Sequence, residues 1–125
     1  MTCSNVQSCT LTVEEALLLW NSLSGIECFA PHHTYRVWFV LEQLRKTVAV
    51  AQQLHKTSAQ MAKEGQKSEQ AHAIDMHRLA REPLHLSYIP IASSELTREQ
   101  IAAIKSCSRF YWLFPGLQDF ATVEL

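Results

Sequence analysis

The run PHHTYRVWFVLEQLRKTVAVAQQLHKTSAQMAKE, from Pro31 to Glu64, decides how the rest of the chain has to be read. Proline stands first, where a helix does not miss the absent N–H, and no further Pro or Gly appears before Gly65. The spacing predicts one helix of roughly 30 residues, about 45 Å long at its ordinary rise. A small globular core does not need so long a rod. Its opening, Tyr35-Arg36-Val37-Trp38-Phe39-Val40-Leu41, is apolar nearly all round, which predicts enclosure by other elements. Beyond Leu44 the apolar positions narrow to Val48, Ala51, Leu54, His55, Ser58, Met61 and Ala62, a seam with small members that suits a partner helix.

Upstream, Met1 to Leu11 is rich in Cys, Ser, Thr and Asn, whose side chains compete with helix, so this arm reads as loop or short strand. Thr12 followed by Glu15 is a capping box opening a helix at Val13. That helix turns Ala16, Leu17, Trp20 and Leu23 inward, also bears Leu18 and Leu19, and ends at Gly25 in the left-handed conformation. Downstream of Gly65, Lys67 to Arg81 reads as a weaker helix with Ala71, Ile74 and Leu79 inward. Leu84 to Tyr88 alternates with period two and runs into Ile89-Pro90-Ile91, an edge strand whose natural mate is the N-terminal arm. Thr97 with Gln100 caps a last helix that faces Ile101, Ile104 and Cys107 or Ser108 inward. The expected fold is therefore mainly α with a minor β element: an N-terminal helix, a long second helix, a weak third, a short edge strand or hairpin, and a C-terminal capped helix. It forms a single domain over residues 1–125, with an arm at 1–11 and an aromatic tail at 110–125.

At 125 residues and 14.2 kDa the chain holds one domain. Charged residues make up 18%, below the usual share of about 25%, so the surface is short of charge and inclined to associate. A net charge of -1 supplies no global field toward nucleic acid or an acidic membrane. The longest apolar runs fall well short of the ~20 residues that cross a bilayer. Cys3, Cys9, Cys28 and Cys107 form no C-x-x-C pair, and no secretory leader precedes them. Free thiols in a cytoplasmic protein are the expectation.

Three constellations bear on chemistry. Cys28, His32 and His33 stand at the mouth of the long helix, where its N-terminus and an imidazolium would lower a thiol pKa. A Cys–His nucleophile also needs an oxyanion site, and none of the three glycines lies beside Cys28. His72, Asp75, His77 and His85 are metal-capable types, yet His72 and His77 are five apart and diverge on a helix. Neither set makes a convincing centre, so no catalytic residue, metal or other cofactor is expected. Arg45, Lys56, Lys63 and Lys67 fall within about 40° on a helical wheel. Six basic and two acidic residues between Arg36 and Lys67 make that segment +4. The ordinary meaning is a solvated face, and the alternative is a phosphate-contacting ridge of a nucleic-acid-binding module. Paired carboxylates at usable spacing, a Gly-rich phosphate loop and a serine elbow are all missing from the sequence.

The seam and the tail rise furthest above background. The tail holds Phe110, Tyr111, Trp112 and Phe114, each able to bury ~150 to 250 Å², and it either folds over its own core or docks on another subunit. The expected function is a non-enzymatic assembly or interaction protein, joining copies of itself or another protein through Val48, Ala51, Leu54 and Met61 together with those four aromatics. The order Leu11-Thr12-x-Glu14-Glu15-Ala16-Leu17-x-Leu19, a long helix, then Leu84-His85-Leu86-x-x-Ile89-Pro90-Ile91 and a short capped helix resembles small proteins of unknown function encoded by tailed phages and prophages. The resemblance implies a protein of the host cytoplasm serving phage assembly or host interaction, and it carries no catalytic residues across.

Overall fold

Thr12 is where strand becomes helix without an intervening loop. In the computed structural model, which describes residues 6–27 and 29–117, β1 (Gln7–Thr12) runs directly into α1 (Val13–Leu23). The Thr12 hydroxyl accepts from the Glu15 N–H at 3.2 Å, and the Glu15 carboxylate accepts from the Thr12 N–H at 3.0 Å. This reciprocal cap satisfies two backbone donors that the first helical turn leaves free. α1 ends differently from expectation. Ser24 closes it in right-handed geometry, donating its N–H to Trp20, and Ile26 bonds back to Leu23, so Gly25 is not used as a left-handed cap.

The long helix is present in one piece. α2 (Pro31–Lys63) has 33 residues, about 50 Å at the ordinary rise. One row along it is buried: His33, Val37, Val40, Leu44, Val48, Ala51 and Ser58. The enclosure expected around Tyr35–Leu41 is not observed, because neighbours cover only this row, and Tyr35 and Trp38 face solvent. Gly65, at φ +77°, ends the helix: Gly65 N–H bonds to Ala62 and Gln66 N–H to Met61, the paired closure that a left-handed residue permits. α3 (Glu69–Ala80) follows, capped by the Ser68 hydroxyl on the Ala71 N–H, and it buries no residue. Ile74, expected inside, is exposed on the face away from α2.

β2 (Pro83–Tyr88) pairs antiparallel with β1, from Gln7 opposite Tyr88 to Thr12 opposite Pro83, as the alternation implied. The outer edge of β2 is occupied by a side chain. Gln43 of α2 donates to the Ser87 carbonyl at 2.6 Å and accepts from the Ser87 N–H at 2.8 Å, doing for that edge what a third strand would do. Arg36 bonds the Pro90 carbonyl one step further along.

The chain then wraps back through α4 (Arg98–Ala103), opened by the Thr97–Gln100 capping box, into a 3-10 turn at Lys105–Phe110. Ile101, Ile104 and Cys107 face inward. The aromatic segment is core. Ile91 N–H bonds the Leu113 carbonyl and Ser93 N–H the Pro115 carbonyl, drawing Phe110, Leu113, Phe114 and Leu117 under the sheet and α1. Phe114 meets Phe29 edge-on at 6.3 Å, and Trp112 packs on Tyr88 at 4.7 Å. Gly116 takes φ +89°, and a Cβ there would stand 2.5 Å from Ser93 Oγ, so glycine is required both by conformation and by space.

Truncation separates core from surface in this segment. Phe114→Ala removes a fully buried ring and is expected to lower unfolding free energy by about 3–5 kcal/mol. Tyr111→Ala, two residues beyond the 3-10 turn's last Ser–Arg step and exposed, should stay within about 0.5 kcal/mol. Urea denaturation midpoints of the two variants give the comparison.

Candidate functional site

α3 folds back antiparallel along the outer half of α2, and the two helices are held at the tip by polar groups. Ser58 of α2 is buried there. Lys67 donates to the Ser58 hydroxyl at 2.9 Å and to the Asp75 carboxylate, while Ser58 Oγ and His72 Nδ1 share a hydrogen bond of 2.7 Å. His55 lies edge-on to His72 at 5.4 Å. The Lys67 ammonium holds Asp75 below the usual carboxylate range. These groups form a clamp: the Ser58–His72 bond joins α2 to α3 directly, and Lys67, in the turn between them, bridges Ser58 and Asp75. No residue of α3 is itself fully buried, so the clamp contributes to how tightly the arm closes.

Nearer the base of the arm, packing leaves space. A cavity of about 370 Å³, lined mainly by apolar groups, opens between the three helices at Leu17, Ala51, His55, Met76 and Leu79. A second, of about 240 Å³, lies on the other side of Ala51, between Lys46, Thr47, Val50 and Leu79. Beside it Val50 and Leu54 are 57% and 47% exposed. The apolar face of α2 thus continues past what α3 covers.

The expected interface is rotated by this packing. Val48 and Ala51 are buried inside the same chain, so they are not available to a partner, and Met61 is half-covered by the returning arm. Leu54 remains open. In the tail Phe110 and Phe114 are core, which removes these two from the interface; Trp112 is half-buried and Tyr111 is exposed. Val50, exposed beside Leu54, lies outside the Val48–Ala51–Leu54 seam that the apolar spacing marks, since only the position of α3 shows which side of α2 stays open.

The basic stripe is also divided. Lys67 lies beyond Gly65 and turns away from the α2 wheel to Asp75, and Arg45 pairs with Glu42 at 3.2 Å. Lys56 and Lys63 stay exposed on α2. The metal-capable set is dispersed: His72 on Ser58, Asp75 on Lys67, His77 near Arg81, and His85 on the Thr10 hydroxyl across the sheet. Among the described residues no three such groups converge on a metal position.

Cys28 lies outside the described residues. Its expected partner His33 is 3% exposed, and neither ring nitrogen has a hydrogen-bond partner; Nε2 stands 3.8 Å from Glu95 Oε1. Burial first, then the nearby His32 and Arg36, lower its pKa against an opposing pull from Glu95. Of the thiols described, Cys9 is pushed up by burial and Cys107 is enclosed, so neither is poised as a nucleophile.

Two measurements test this electrostatic arrangement. Because the folded state binds the His33 proton less readily than the unfolded state, its contribution is full above the ordinary histidine pKa of about 6.5 and is lost as pH falls below it. The urea midpoint should therefore drop on acidification through that range, and His33→Leu should remove that part of the drop. Lys67→Met should speed amide hydrogen exchange selectively in α3, leaving β1, β2 and α1 protected; uniform loss would mean that the clamp supports the whole fold. Compared with protein-family models, with curated proteins and with solved structures, the chain matches none of them.

Proposed function

We propose that the chain is a non-enzymatic assembly protein that joins a second copy of itself through the outer face of α2. The observation that carries this reading is the row Thr47, Val50, Leu54, Thr57 and Met61, spaced alternately by three and four residues, the repeat of a helix–helix seam. Val50 and Leu54 at its centre are exposed. Leu54 stands one turn along α2 from Val50, which lines the smaller cavity with Thr47 and Leu79. Two copies packed antiparallel about a two-fold axis near Leu54 would set that side chain against its own counterpart, with Val50 toward Thr57 and Thr47 toward Met61 of the other copy.

The low share of charged residues supports association. No helix among the described residues is long and apolar enough to cross a membrane. With the resemblance to proteins of tailed phages and prophages, the reading extends to an assembly role in the host cytoplasm.

Size-exclusion chromatography with light scattering over a range of concentrations is the test. The expected result is a mass above the 14.2 kDa monomer that returns to monomer in Val50→Glu with Leu54→Glu. A monomer at every concentration would overturn self-association, and a dimer indifferent to the double variant would place the contact elsewhere.

A further inference from the structure

Away from the α2–α3 arm, on the opposite side of α2, a small cleft between α1 and α2 has a different chemistry. It encloses about 260 Å³ and is lined by Trp20, Trp38, Leu41 and Glu42. Trp38 is 63% exposed, an unusual position for the largest and least water-tolerant aromatic side chain. Trp20 reaches the same cleft from α1, half-buried against the core. Both indoles line the space between the two helices, and among the described residues neither packs against another aromatic ring. On α2 the residues Trp38, Leu41 and Glu42 share one side through their three- and four-residue spacing.

Each wall specifies something about an occupant. An indole face is the strongest aromatic attractor of a cation, and it favours cations whose charge is spread over methyl groups, because these shed water easily. Leu41 adds an apolar floor that a bare ammonium would not reward. Glu42 supplies the countercharge. Its pairing with Arg45 at 3.2 Å is no obstacle, since both side chains are mostly exposed and such a pair holds weakly. A neutral apolar ligand would leave the carboxylate without a role, and an anion would be repelled by it.

We propose that this cleft binds a methylated ammonium group, with Trp20 and Trp38 facing the cation, Leu41 against its methyls and Glu42 as counterion. The site is separate from the association row, which lies on another side of α2, and it does not depend on the oligomeric state. One chemistry has two sources: a small quaternary ammonium compound, or a trimethylated lysine side chain on a peptide.

Indole fluorescence of the full chain reads the test directly. The protein is titrated with choline, with a short peptide carrying trimethyl-lysine, with the same peptide unmethylated, and with 3,3-dimethylbutanol, the neutral carbon counterpart of choline. Saturable change is expected with one or both methylated cations, at affinity at least about tenfold above that for the unmethylated peptide and the neutral alcohol. Response to choline identifies a free compound as sufficient, and response to the peptide alone identifies a side chain. Trp38→Ala, whose side chain is largely outside the core, should abolish the response while circular dichroism stays unchanged, and Glu42→Gln should weaken it. Trp112, packed on Tyr88 remote from the cleft, reports that the fold is intact. Absence of saturable change at millimolar ligand, equal response to the neutral alcohol, or a response that survives Trp38→Ala would each overturn the proposal.

Discussion

The buried row on α2 is the constraint to which the other elements answer. From His33 to Ala51 its members recur at three- and four-residue intervals, so a straight helix presents them as one line. α1, α3 and β2 all pack against α2. Gln43 and Arg36 sit just to one side of the buried row. Their bonds to the Ser87 and Pro90 backbone set the height at which β2 passes, so apolar packing fixes how close the elements come and two polar side chains fix their register.

Much of this architecture could be read from local signals. The capping boxes at Thr12 and Thr97, the Pro at position 31 and the period-two run at Leu84 act over a few residues, and each produced the element it announced. Pairing of the arm with β2 followed from an edge strand needing a mate. One expectation failed for a local reason and another because of distant chain. Gly25 had the composition of a helix stop, but the turn through Ser24 already closed the carbonyls. Val48 and Ala51 had the pattern of a free seam because nothing in their own neighbourhood shows that the sheet, α1 and α3 lie over them.

The polar cluster at Ser58 was equally hidden. Its four members come from both sides of Gly65, and only the left-handed turn there brings Lys67 back beside Ser58 rather than onward along the wheel. The same turn explains why the candidate basic ridge is shorter in space than in sequence. An arm closed mainly by hydrogen bonds and an ion pair, over a floor with open cavities, is less firmly seated than the sheet end of the molecule. Association on α2 would therefore engage the part of the fold best able to adjust its packing.

β1 and β2 stand at opposite ends of a long helical insertion, yet each is the other's neighbour. During synthesis the first of them leaves the ribosome well before its complement exists, and the loop that must close spans α1, α2 and α3. Leu11 and the edge of the early strand thus wait until β2 has been made. Its hydrophilic run of Ser, Thr and Gln is a sequence suited to that wait, since it offers little for premature aggregation to seize.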